Sequence, residues 1–170
     1  MQDNQSQTQW IYAAAIMDSD GCFMITKANR KDGTHYYTPM VKIAMINNGS
    51  INYIHREINM GRISITGVRP SRPKSLPLYE WRVCNKNDLI KFLNGIMPYL
   101  QNKKDRAQHL LNFCAFGNYK ENSQKHIRLT KDELDYRDQA YLKMRELNAN
   151  KVGATTKSPG PERACDSLNS

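Results

Sequence analysis

Two carboxylates stand two residues apart at the end of a run that otherwise reads as helix, "IYAAAIMDSDGCF" from Ile11 to Phe23. Tyr12, Ala13, Ala14, Ala15, Ile16 and Met17 form or tolerate helix, and Gly21 suits the left-handed position that ends one. Asp18 and Asp20 then fall at the carbonyl end, where the backbone dipole is negative. Each carboxylate costs roughly 0.3–1 kcal/mol at such an exposed end. A purely structural helix more often ends in Lys or Arg, so this one calls for a positive group nearby.

A second set of residues is basic. The 170-residue chain has a formal net charge of +9, which points to a polyanion as partner. Residues 1–120 hold 16 Lys/Arg against 8 Asp/Glu, a net of +8, whereas residues 121–170 hold 9 against 8, a net of +1. From Arg62 to Lys86 there are six basic residues and one acid, Glu80. Basic composition alone also serves solubility; its concentration in one stretch favours nucleic acid. Cys22, Cys84, Cys114 and Cys165 show no C-x-x-C and no nearby pair of His. That spacing gives neither a zinc site nor a disulfide framework, and reads as reduced thiols in an intracellular compartment: cytoplasm, nucleoid or organelle matrix. "MQDNQSQTQ" lacks the order of a secretory signal, and no apolar run approaches the roughly 18 residues of a membrane span.

The elements that must position these residues follow from periodicity. "CFMITKANR" reads as a strand, "KDGTH" as a turn, and "YYTPMVKIAMI" as a second strand, with Val41, Ile43 and Met45 opposite Met40, Lys42 and Ala44. "NNGS" supplies an N-cap, expected at Ser50, for a helix carrying Ile51, Ile54 and Ile58 and ended by Gly61. "RISITGV" and "LYEWRVC" are strands flanking a Pro/Arg-rich loop, and "NDLIKFLNGIMPYL" is helix. Further helices run from about Lys104 to Phe116 and from Thr130, where Glu133 completes a capping box. The fold class is therefore α+β, an αββαββ core with an antiparallel sheet and C-terminal helices. Residues 1–8 are expected to be a polar arm, 9–150 a single domain, and 151–170 a disordered tail. One sheet face and its loops offer Lys27, Asn29, Arg30, Lys42, Arg62, Ser64, Thr66, Arg69, Arg72, Lys74, Glu80 and Arg82 as the nucleic-acid surface.

"AAAIMDSDG", Ala13 to Gly21, resembles the LAGLIDADG motif of homing endonucleases, with Ala14, Asp18, Asp20 and Gly21 identical. "MPYLQNKKDRAQHLL" is similar to that family's P-Y-L-x-x-K-K-x-x-A segment through Pro98, Tyr99, Leu100, Lys103, Lys104 and Ala107. "LTKDELDYRDQAYLKMRELN" resembles its closing helices, so the likeness spans about residues 9–148. It implies a saddle-shaped sheet over DNA and two motif helices packed about a two-fold axis through Ala13, Ala14, Ala15, Asp18 and Gly21. Asp20 would be the metal ligand, joined by the backbone carbonyl of Ser19. The missing positive charge would be Mg²⁺, or another divalent cation such as Mn²⁺, suited to oxygen ligands and phosphodiester hydrolysis.

Lys103 matches the family's basic residue beside the scissile phosphate. Asn47, with Asn48 an alternative register, matches a polar residue that holds active-site water. One motif in the chain implies a homodimer. The function implied is metal-dependent double-strand cleavage of a long, near-palindromic DNA site. Alternatives on the same fold are an RNA maturase or intron-splicing cofactor and a DNA-binding protein that does not cut.

Overall fold

The computed structural model describes residues 2–29, 35–67, 76–116 and 130–149. The elements are α1 (Gln2–Ser19), β1 (Gly21–Asn29), β2 (His35–Met45), α2 (Gly49–Ile58), β3 (Arg62–Thr66), β4 (Leu78–Val83), α3 (Lys86–Ile96), a 3₁₀ turn (Met97–Tyr99), α4 (Lys104–Ala115) and α5 (Lys131–Ala149). The αββαββ order matches the expectation. Helix α1 reaches back to Gln2, through the polar residues expected to form an arm. The expected tail, residues 151–170, lies outside the described residues.

The strands form one antiparallel sheet in the order β1-β2-β4-β3. Side chains alternate across a strand, and the register makes the alternation coherent. Phe23 pairs Val41 and Val41 pairs Val83; Gly21 pairs Ile43 and Ile43 pairs Trp81. These residues face the helices, and all are buried. Ile51, Ile54 and Ile58 of α2 and Leu89, Phe92, Leu93 and Ile96 of α3 complete the core at helical spacing. Trp81 meets Phe92 edge to face at 5.2 Å and donates its indole N–H to Met60 O at 2.9 Å. Among the described residues no helix is long and apolar enough to cross a membrane.

Three local expectations change. Helix α2 begins at Gly49 with Asn48 at its cap position, and the Asn47 side chain accepts from Gly49 N at 2.8 Å. Ser50 instead accepts a hydrogen bond from Tyr12 Oη at 2.8 Å, tying α2 to α1. The left-handed residue ending α2 is Asn59, at φ 53°, with Gly61 at φ 74° in the turn into β3. An Asn side chain tolerates that region, so the helix ends two residues earlier than the glycine implied. Thr130 behaves as expected: Glu133 N donates to its Oγ1 at 3.2 Å, and Thr130 N donates to Glu133 Oε2 at 2.9 Å.

Gly21 is needed for space, not for a left-handed backbone. It opens β1 directly, and a Cβ there would lie 2.6 Å from both Cα and Sδ of Met17. The chain turns from helix into strand by folding onto its own preceding turn, which a methyl group would push apart. Gly21→Ala is therefore expected to cost about 1–3 kcal/mol through overpacking. Urea denaturation checks this: the midpoint falls with the slope unchanged, and an unaltered midpoint rejects the steric reading.

Candidate functional site

The carbonyl end of α1 is fixed from within. Ala13, Ala14 and Met17 are fully buried, while Ala15, Ser19 and Asp20 are exposed and Asp18 is half-buried. The last helical hydrogen bond runs from Asp20 N to Ile16 O at 2.9 Å. The Ser19 hydroxyl lies 3.1 Å from both Ile16 O and Asp20 Oδ2, so its one proton serves either acceptor. The Asp20 carboxylate thus stands in solvent where helix becomes strand.

Asp18 has a different task. Its Oδ2 accepts from Gln101 N at 2.6 Å, and its Oδ1 accepts from Asn102 N at 3.2 Å and Lys103 N at 3.0 Å. Three consecutive N–H groups leading into α4 thereby converge on one carboxylate, as at an anion-binding helix start. The Lys103 side chain returns the exchange. Its ammonium donates to Met17 O at 3.0 Å, Ser19 O at 3.0 Å and Gly21 O at 2.8 Å, using all three protons. The positive group that the helix end required is this one. Burial lowers the Lys103 pKa from its ordinary value, and nearby Arg106 lowers it further, against the opposing pull of Cys22, Asp18 and Asp20.

Beyond the helix end, the register lays a row across the open face of the sheet. Cys22 pairs Lys42, Lys42 pairs Arg82, and Arg82 pairs Arg62. Three cations therefore sit side by side on adjacent strands, in line with Cys22, which is two residues from Asp20. Like charges placed opposite one another destabilise a sheet. Glu80 relieves part of this, at 3.2 Å from Lys42 and 3.8 Å from Arg82. Ser64 pairs Glu80 and Thr66 pairs Leu78, so both also point to the open face.

The remaining expected residues divide. Lys27 is a correction: it follows Phe23 and Ile25 on the helix side, where its ammonium meets Asp138 Oδ1 at 2.6 Å. Tyr37 Oη donates to the same oxygen at 2.7 Å, and these two bonds hold the Asp138 carboxyl below its usual range. Asn29 shares that parity, so it too leaves the open face, although it is exposed. Arg30, Arg69, Arg72 and Lys74 lie outside the described residues. Asn47 stands at the same end of the sheet as Asp20, since Gly21 pairs Ile43 and β2 ends at Met45, but its oxygen caps α2. Of the small residues expected at a two-fold axis, Ala13, Ala14 and Gly21 are closed off by this chain's own core. The exposed stripe is instead Ile11, Ala15 and Ser19, with Ile11 47% exposed. Cys22, Met24 and Thr26 also occupy the open face. Their alternation with Phe23 and Ile25 was the available signal.

The donors suit a hard divalent cation. Asp20 offers an exposed carboxylate, and Ser19 a carbonyl that Lys103 now engages. Among the described residues no group of three or more His, Cys, Asp or Glu is gathered. A divalent ion at Asp20 would therefore need oxygens besides the described side-chain carboxylates.

The two aspartates should separate in stability measurements. Asp18→Ala leaves three backbone N–H groups without their charged acceptor and is expected to lose about 2 kcal/mol. Asp20→Asn should stay within about 0.5 kcal/mol of the parent, as substitutions away from such networks do. Equal losses in denaturant titrations would reject this division.

No family model matches the chain, and no curated protein matches its sequence. Solved structures do. The homing endonuclease I-CvuI in complex with its target aligns with TM-score 0.66 at 16% identity, over 86% of each chain. The archaeal intron-encoded homing endonuclease I-Vdi141I, complexed with DNA, aligns with TM-score 0.55 at 16% identity, over 84% of this chain and 98% of that one. The LAGLIDADG meganuclease I-AabMI, bound to uncleaved DNA, gives 0.53 at 18% identity, over 84% of this chain but 43% of that one. At these identities the likeness is one of fold: the chain has the fold of the LAGLIDADG homing endonucleases.

Proposed function

We propose that this protein is a site-specific endonuclease that makes double-strand cuts in a long, near-palindromic DNA site, as a homodimer using Mg²⁺ or Mn²⁺. The observation that carries the reading is the exposed Asp20 carboxylate two residues before Cys22, which is paired with the first member of the row Lys42, Arg82 and Arg62. A pure binder of polyanions gains nothing from a carboxylate beside its phosphate contacts, which would repel the backbone it approaches. A cation-assisted hydrolase needs one there. The DNA complexes of the structural neighbours support the choice of substrate.

Each part has a role. Lys42, Arg82 and Arg62 neutralise phosphates, which sets register on the duplex without reading sequence. Asp20, with the Ser19 carbonyl, would hold the divalent ion, which when bound supplies charge neutralisation at the phosphate and an acidified water. Lys103, already anchored at that corner, keeps the carbonyls of the helix end pointed at one locus. It supplies fixed positive charge beside the reacting phosphodiester. Because the chain contains one Asp-Ser-Asp-Gly sequence, two strand scissions require two copies. The stripe Ile11, Ala15 and Ser19 is the surface on which α1 would meet its symmetry mate, presenting two Asp20 side chains near the dyad. The coverage of less than half of I-AabMI accords with a unit that works in pairs.

The experiment is cleavage selection from a randomised duplex library, with Mg²⁺ or with EDTA, using the parent and Asp20→Asn. The expected result is Mg²⁺-dependent cutting at one long, near-palindromic site, lowered about 10³-fold or more in the variant, the scale for losing a charge-organising group. DNA binding should persist in Asp20→Asn. Binding of DNA or RNA by the parent with no cutting would favour the maturase or regulator reading. The assembly is tested separately: Ala15→Glu places a charge on the proposed two-fold stripe, and sedimentation should show monomer where the parent is dimer. A parent that sediments as monomer with and without DNA rejects the paired site.

A further inference from the structure

Charge stops abruptly along the open face of the sheet. The row Cys22, Lys42, Arg82 and Arg62 carries three cations. The next pairs outward on β1 and β2 are Met24 with Met40, Thr26 with Thr38, and Ala28 with Tyr36. Each has the parity of Cys22 and Lys42, so these six residues continue the open face. None of them is charged. Tyr36 is 45% exposed and the other five are half-buried. Strand β4 pairs with β2 only from Val41 to Met45, so beyond Val41 the paired strands narrow to a two-stranded ribbon.

A sheet face turned to water is ordinarily polar. The apolar character here is not a slip in register, because the opposite face holds its own core residues: Phe23, Ile25, Tyr37 and Val41 are all buried. Met24 and Met40 stand directly opposite each other, a thioether pair at the middle of this stretch. Thr26 adds less polarity than its type implies. Its one hydroxyl proton is donated to Thr38 O at 3.3 Å, so it offers no donor outward. The face thus passes from a row fit for phosphates to a ribbon fit for something apolar.

A two-stranded ribbon is narrow enough to enter the major groove, and the C5-methyl of thymine is the apolar group on the base edges there. Methionine suits that contact, since its unbranched, polarizable side chain adapts to an uneven surface. We propose that Met24 and Met40, with Thr26 beside them, determine specificity by packing on thymine methyl groups in the arms of the DNA target. The assignment rests on the endonuclease reading and adds to it which bases are chosen. At about 3.3 Å per residue, Met24 lies roughly 13 Å along the chain from Asp20. The thymines therefore belong to the arms of the site and not to its centre.

The test reads binding alone, in EDTA, so that it does not depend on cutting. The full chain is offered a randomised duplex library, and a recovered duplex is rebuilt with deoxyuridine at each thymine in turn. That exchange removes one methyl group and keeps the base pair. Thymine is expected to be enriched in both arms, and each contacted position should bind about fourfold more weakly as uracil, the worth of one buried methyl group. Met24→Gln and Met40→Gln should each lose the uracil penalty at their own positions and gain a preference for adenine, whose N6 and N7 an amide can pair. If either variant does not fold, the uracil series on the parent decides the matter. Equal binding of thymine and uracil duplexes overturns the assignment and leaves the DNA reading standing. A penalty that persists in both folded variants also overturns it, because the methyl group would then act through the stiffness of the duplex. Recovery of no duplex, or binding of RNA in its place, overturns the DNA reading and this inference with it.

Discussion

Asp18 and Lys103 hold two helix ends by exchanging what each end lacks. The carbonyl end of α1 has oxygen atoms without donors, and the approach to α4 has N–H groups without acceptors. The carboxylate on the first answers the second, and the ammonium on the second answers the first, with six hydrogen bonds in all. The two residues are 85 apart in sequence, so this exchange closes half of the 170-residue chain into one frame. It also sets where Asp20 stands, because Ser19 O and Gly21 O, on either side of it, are held by the same ammonium. A shift of α1 against α4 would break several charged hydrogen bonds together, and such networks lose more than the sum of their parts.

This exchange resolves the oddity of an acidic helix end. Two carboxylates at a negative dipole look like a double penalty. One of them is the acceptor for three N–H groups of the segment that leads into α4, and the ammonium it helps to position neutralises the end it sits on. Only Asp20 is left without a structural debt, exposed and, among the described residues, accepting nothing but the hydroxyl of its neighbour. The Asp-Ser-Asp-Gly run therefore divides into a residue that secures the frame and a residue that stands exposed in solvent.

The parts of the fold legible in the sequence were those with a period. Alternation in "MVKIAMI" placed Val41 and Ile43 inside and Lys42 outside, and the Ile51, Ile54 and Ile58 spacing placed α2. Lys27 failed because charge was allowed to outrank that same period: it continues the line of Phe23 and Ile25, and α5 supplies Asp138 to receive it. Ala13 and Ala14 look like an interhelical contact surface, yet small residues serve equally where a helix presses on its own sheet. Only the rotation of α1 against the core decides that Ala15 is the one of the three left exposed. Gly21 was legible as necessary and misread as to why, since the contact with Met17 depends on how sharply strand follows helix. Arg137, buried on α5, was hidden by type, although its spacing to Ala140 and Met144 marks it as a core position of that helix.

Two surfaces of this molecule are electrostatically unfinished, and for related reasons. A lone carboxylate at a helix end cannot gather a divalent ion by itself. Three cations on adjacent strands repel one another with only Glu80 among them. On the endonuclease reading, each arrangement is unfavourable in the free chain and is completed by its counterpart, a second α1 in one case and a line of phosphates in the other. The Asp18–Lys103 exchange fixes where Asp20 stands, and the strand register fixes the row of cations, so neither placement can relax away by a shift of the backbone. On the endonuclease reading, that stored mismatch is the preorganisation that cleavage requires. The charges stand where a phosphodiester will need them before it is bound, and little reorganisation is left for the reaction step.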